Sequence, residues 1–97
     1  MSSDSCTEIK NTKVKMLKSN DDIGEDFDCQ VLQIKNNTAY VLISSFFFKN
    51  SRQEPQSFGY ITNSVFPYQK WKIVNYEYKP NLELPAYVFC LDLINNI

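Results

Sequence analysis

The fold is decided by residues 38–48, which read Thr-Ala-Tyr-Val-Leu-Ile-Ser-Ser-Phe-Phe-Phe. Such a density of β-branched and aromatic side chains favours a strand, because these residues fit a pleated, half-buried surface. Successive side chains of a strand point to opposite faces. One face would therefore hold Ala39, Val41 and Ile43, and the other Thr38, Tyr40 and Leu42.

The segment just before this run predicts a partner strand and a tight turn. Asp26–Ile34 is rich in apolar residues, and it is followed by Lys35-Asn36-Asn37. Asparagine tolerates the left-handed backbone conformation that short turns require. The first two strands are therefore predicted to form a β-hairpin.

The rest of the chain continues the β pattern. Lys49–Ser57 is polar, contains Pro55 and predicts a long exposed loop. Three further strands are predicted over Phe58–Thr62, Trp71–Tyr78 and Leu84–Leu93, and no helix longer than one turn is expected. About five short strands in such a length are typical of a small closed barrel. The fold class is thus all-β, a small five-stranded barrel over residues 23–97.

Residues 1–22 differ from this body. They are rich in Ser, Asp, Lys and Asn, with isolated apolar residues, and predict a flexible acidic and polar arm. A short edge strand over Thr12–Leu17 is the alternative, because these residues alternate weakly. Residues 1–28 carry four lysines against seven acids, whereas residues 29–97 carry a net charge of +2.

Composition excludes several kinds of chemistry. The chain of 97 residues has no histidine, which removes histidine-based triads and histidine zinc ligands. Its three cysteines show no Cys-x-x-Cys spacing, and its only glycines, Gly24 and Gly59, form no phosphate-binding loop. Acidic residues around Gly24 lack the order of a calcium loop. We expect no enzyme, no metal and no cofactor.

The N-terminal residues are polar, and no apolar run approaches the ~18 residues that a membrane-spanning helix needs. Neither a secretory leader nor a membrane association is predicted. Reduced thiols fit an intracellular protein of the nucleus or cytoplasm.

Gly24–Leu93 resembles an S1-type OB-fold domain. Thr38–Ile43 is similar to the hairpin strand of that family, Gly59–Ser64 to its glycine-led third element, and Ala86–Asp92 to its final strand. The chain departs from the pattern at Thr62, where the family has histidine, and its loop before the third element is longer. An SH3- or Tudor-like small barrel is the alternative.

This resemblance implies binding of single-stranded RNA or DNA within a larger assembly. In S1-like domains, outward residues on the hairpin strand and beside the third-element glycine contact bases. Here those positions fall on Tyr40, Tyr60 and Thr62. The candidate phosphate-binding cations are Lys35, Arg52, Lys70 and Lys72.

The competing hypothesis is a module that docks a protein partner or a second copy of the chain. The final strand is apolar on both faces, and three consecutive phenylalanines cannot all point inward. Exposed aromatic surface often marks an interface. The residues predicted to form it are Phe46, Phe48, Tyr87, Phe89 and Leu91.

Overall fold

The computed structural model of the protein describes residues 10–51, 53–63 and 69–96. Six strands and two short helices make up this part of the chain. Their bounds are β1 Lys10–Leu17, β2 Glu25–Lys35, β3 Thr38–Ser44, α1 Ser45–Ser51, a 3₁₀ turn at Pro55–Ser57, β4 Tyr60–Asn63, β5 Gln69–Lys79 and β6 Ala86–Asn96.

The strands form a closed barrel in the order β1-β2-β3-β6-β5-β4. The predicted all-β barrel is thereby confirmed, with six strands where the sequence indicated five. All six neighbouring pairs are antiparallel. Strand number matters here, because a ring of antiparallel neighbours closes only with an even number of strands.

The sixth strand is β1, which lies inside the segment predicted to be a flexible arm. It pairs with β2 through seven residue pairs and with β4 through four, so it closes the ring. Val14 and Met16 point into the core. The prediction of flexibility was therefore wrong for residues 10–17, whereas residues 1–9 lie outside the described residues. The weak alternation of Thr12–Leu17 was the signal for this strand.

The hairpin of β2 and β3 follows the sequence prediction. Asn36 has a positive φ of 55°, as expected for a residue at this tight turn. The Thr38 hydroxyl donates to the carbonyl oxygen of Lys35 at 3.1 Å. In β3 the predicted inner face is confirmed, because its three members are all buried: Ala39, Val41 and Ile43.

In β6 the predicted orientation of the side chains is reversed. Phe89 and Leu91 were expected outside, but they are 0% and 2% exposed. Leu91 pairs with Ala39, and Phe89 pairs with Val41. Directly opposed residues of an antiparallel pair share a face, so the inward partners fix Phe89 and Leu91 inward. A strand that is apolar on both faces does not reveal this choice.

Residues 45–51 form the helix α1 where the sequence predicted the end of a strand and the beginning of a loop. The Ser44 hydroxyl accepts a hydrogen bond from the backbone N–H of Phe46 at 3.2 Å, which caps the helix. Residues of a helix turn by about 100° each, so the three phenylalanines separate. Phe48 is buried in the hydrophobic core, Phe47 is half-buried, and Phe46 is 59% exposed.

Candidate nucleic-acid interface

Two adjacent strands carry four of the predicted binding residues on one outer surface. We call this surface the β4–β5 face, and it consists of Tyr60, Thr62, Lys70 and Lys72. Tyr60 of β4 lies directly opposite Lys72 of β5, and Thr62 lies opposite Lys70. An aromatic ring is thus flanked by a solvent-exposed lysine. Stacking on a ring and attraction of a phosphate are both available there.

Thr62 does not offer a stacking surface. It is only 9% exposed, because its short side chain lies between Lys15 of β1 and Lys70 of β5 in the same cross-strand row. Its outward direction agrees with the prediction, but its accessibility does not. In this row the side chains that solvent reaches are those of Lys15 and Lys70, on either side of Thr62.

Lys70 is held in place by the turn after β1. Its Nζ donates to the backbone carbonyl oxygen of Asn20 at 2.6 Å and to Oδ1 of the same residue at 2.7 Å. Both acceptors are neutral, so the positive charge of Lys70 is oriented without being cancelled by them. Sequence reasoning missed Asn20, because it lies in the predicted arm.

The other predicted residues lie elsewhere on the barrel. Tyr40 is 40% exposed on β3, on the same outward surface as Lys35, which pairs with Thr38. Two strands separate β3 from β4 in each direction around the six-stranded barrel. Tyr40 and Tyr60 therefore point outward on opposite sides of the barrel. The fold therefore divides the predicted site in two. Arg52 lies outside the described residues.

Carboxylates offset part of the charge near the β4–β5 face. Lys15 Nζ is 2.9 Å from Asp26 Oδ1, and Lys13 Nζ is 2.7 Å from Asp28 Oδ1. The hydrogen bond and charge of Asp28 raise the pKa of Lys13. These pairs are exposed and contribute little to stability. They leave Lys70 and Lys72 as the cations best placed to meet a phosphate.

The predicted partner-binding residues do not form a common exposed surface. Phe48, Phe89 and Leu91 belong to the core, whereas Phe46 is exposed and Tyr87 is half-buried. Burial removes the three core residues from any interface of the folded barrel. The sequence prediction for these three residues depended on their hydrophobicity, and hydrophobicity does not distinguish a core position from an interface position.

An aromatic cluster that the sequence did not reveal lies where β5 and β6 extend beyond β4. Tyr76 pairs with Phe89 and Tyr78 pairs with Tyr87, so the four rings share one face. The ring centroids of Tyr78 and Tyr87 are 4.9 Å apart. Desolvation raises the pKa of Tyr87, and the neighbouring tyrosines add to the effect. The alternation Tyr76-Glu77-Tyr78 was the available signal.

A groove of about 640 Å³ with a mixed polar and apolar lining lies between β1, β2, β3 and the loop joining β5 to β6. Leu42 and Phe47 line it, together with Leu82 and Leu84 from the loop. The two loop leucines are exposed, at 43% and 73%. A hydrogen bond of 3.0 Å from the backbone N–H of Ser45 to the carbonyl oxygen of Pro85 holds this loop beside α1.

The Cys29 thiol is buried in β2. Burial raises the pKa of the Cys29 thiol to about 12, so it stays protonated at neutral pH. Within residues 10–51, 53–63 and 69–96, no group of three or more Cys, Asp or Glu side chains could hold a metal ion. In the same part of the chain, no helix is long and apolar enough to cross a membrane.

No protein-family model, no curated protein and no solved structure matches this chain significantly. Function has to be inferred from the geometry of the barrel itself.

Proposed function

We propose that this protein is a non-catalytic, OB-like accessory subunit that binds single-stranded RNA or DNA on its β4–β5 face. The observation that carries the proposal is the cross-strand pair of Tyr60 and Lys72, with Lys70 two residues before Lys72 on β5 and on the same outer face. A single strand can stack a base on the tyrosine while its backbone runs past the two lysines. The small closed barrel is compatible with this role.

The energetics of such a site are modest. Stacking of one base on an aromatic residue contributes about 1–3 kcal/mol, and each phosphate contact adds a salt-dependent term. The net charge of −1 gives the chain no general attraction for a polyanion. Binding by the barrel alone should be weak, which is why we assign it to a subunit of a larger assembly.

The division of the predicted site supplies a matched test. We expect Tyr60→Ala to weaken binding of a short labelled single-stranded oligonucleotide by roughly tenfold, since one stacking contact is lost. Tyr40→Ala removes the same ring from the opposite side of the barrel and should leave the affinity unchanged. Fluorescence anisotropy at low salt measures both variants, with RNA and DNA titrated separately.

The lysines are tested by the salt dependence of the same titration. Replacing Lys70 and Lys72 with Gln should reduce the slope of log affinity against log salt by about 0.7 per lysine. Lys35→Gln is the matched control, because it lies beside Tyr40. Equal effects of the Tyr40 and Tyr60 variants, or no binding by the parent protein, would contradict the assignment to the β4–β5 face.

A second candidate function is docking of a partner protein. The observation that favours it is the groove bordered by the exposed Leu82 and Leu84, with the exposed Phe46 on the neighbouring helix. A partner that covers these exposed leucines would remove apolar surface from water, which is favourable by ~25 cal/mol per Å². Absence of oligonucleotide binding would make this the preferred role.

A further inference from the structure

A row of cross-strand neighbours runs from the β4–β5 face around the outside of the barrel. Tyr60 of β4 lies opposite Lys72 of β5, and Lys72 lies opposite Asp92 of β6. Asp92 in turn lies opposite Thr38 of β3, which pairs with Lys35 of β2. The row therefore connects the two halves of the predicted site, and a carboxylate lies in the middle of it.

This carboxylate acts on the same space as the lysine beside it. The side chain of Asp92 is exposed, and none of the ion pairs among the described residues includes it. Neighbouring strands lie about 4.7–4.9 Å apart, so a phosphate on Lys72 is attracted by the ammonium group and repelled by the carboxylate of Asp92. A nucleic-acid backbone that crossed from β5 to β6 would meet this repulsion directly.

The other flank of the β4–β5 face, formed by β1, adds little attraction for a phosphate. The Nζ of Lys15 lies 2.9 Å from Oδ1 of Asp26, which neutralises its charge. Leu17, the neighbour of β4 at the end of β1, is only 4% exposed. The strongest attraction is therefore along β5 itself, where Lys70 and Lys72 are two residues apart on the outer face.

We propose that Asp92 is a specificity-determining residue that confines a bound single strand to the β4–β5 face and aligns its backbone along β5. The inference rests on the function proposed above and adds the path of the ligand to it. Because like charges repel, the phosphates turn away from β6 and follow Lys72 and Lys70. Asp92 thereby separates this face from Tyr40 and Lys35, which the family resemblance assigned to the same site.

The first test replaces the carboxylate by an amide of the same shape. Asp92→Asn removes the repulsion, so it should tighten binding of a short labelled single-stranded oligonucleotide by about three- to tenfold at low salt. Glu83→Gln is the matched control, because it makes the same change in net charge on the loop joining β5 to β6. It should alter the affinity by less than about twofold, since distant exposed charges are screened. Fluorescence anisotropy measures both variants, with thermal melts as the control for folding.

The outcomes separate this inference from the proposed function. Equal effects of the two variants on a parent protein that does bind would overturn the role of Asp92 and leave the proposed function standing. Absence of binding by both the parent protein and Asp92→Asn would overturn the two together.

An NMR titration of the parent protein and of Asp92→Asn locates the boundary of the site. In the parent protein, the amide of Thr38 should be unaffected by the oligonucleotide. In Asp92→Asn the shifts should extend across β6 to Thr38, because the cross-strand row then carries no negative charge. Shifts at Thr38 in the parent protein, or the same pattern in both proteins, would overturn the proposal.

Discussion

Phe89→Ala should destabilise the protein by about 3–5 kcal/mol, a large share of the roughly 5–15 kcal/mol that separates the folded from the unfolded state of a native domain. Phe89 is fully buried in β6, and its ring lies 5.9 Å from that of Phe48 and 5.7 Å from that of Tyr76. Truncation removes these contacts and leaves a cavity that the surrounding strands cannot fill. Chemical denaturation followed by circular dichroism measures the loss.

Phe46→Ala is the matched control for this change. The same atoms are removed from a side chain that is 59% exposed at the surface of α1, so the free energy of unfolding should change by less than about 0.5–1 kcal/mol. Similar losses from both variants would contradict the reversed orientation of β6. They would also contradict the separation of the three phenylalanines by the helix.

The second large effect is expected from removal of β1. A chain of residues 23–97, which is the domain that the sequence predicts, should fail to form a cooperatively folded barrel. It loses Val14 and Met16 from the core, at ~1.5–3 kcal/mol each, together with both strand pairings of β1. Two open edges then replace a closed ring. Amide chemical-shift dispersion and a thermal melt would show the loss directly.

Lys15→Gln in the full chain is the control for that truncation. It breaks the exposed ion pair with Asp26 but leaves β1 in place, so the expected loss is no more than about 1 kcal/mol. A fragment of residues 23–97 with native-like dispersion and a sharp melting transition would show that β1 is dispensable, against the topology described here.

The fold was predictable where the sequence alternates clearly. Residues 38–41 alternate between polar or aromatic side chains and small or aliphatic ones, and the inward face of Ala39, Val41 and Ile43 was assigned correctly. The Asn36 turn was also predictable, since few other residues adopt its positive φ. Local pattern and tertiary structure agree at these positions.

The errors have a common physical origin. In β6, alternate residues are apolar on both faces, so only pairing with Ala39 and Val41 decides which face is buried. In β1, lysines interrupt the apolar residues, and the strand is stabilised by neighbours distant in sequence. Long-range pairing overrides local propensity in both cases.

The candidate site was predictable only in its parts. Tyr60 and Lys72 were both selected from the sequence, but their direct opposition depends on the register of β4 and β5. The separation of Tyr40 from Tyr60 depends on strand order, which alternation does not encode. Asn20, which orients Lys70, could not be found without the path of the chain after β1.

The most direct test of the proposed function is an NMR titration of the isotope-labelled full chain with a short single-stranded oligonucleotide. Binding at the β4–β5 face predicts that the largest amide shifts occur at Tyr60–Asn63 and Lys70–Lys72, with Tyr40 and Lys35 unaffected. Shifts confined to the β2–β3 surface would contradict the site. No shift at any accessible concentration would contradict nucleic-acid binding altogether.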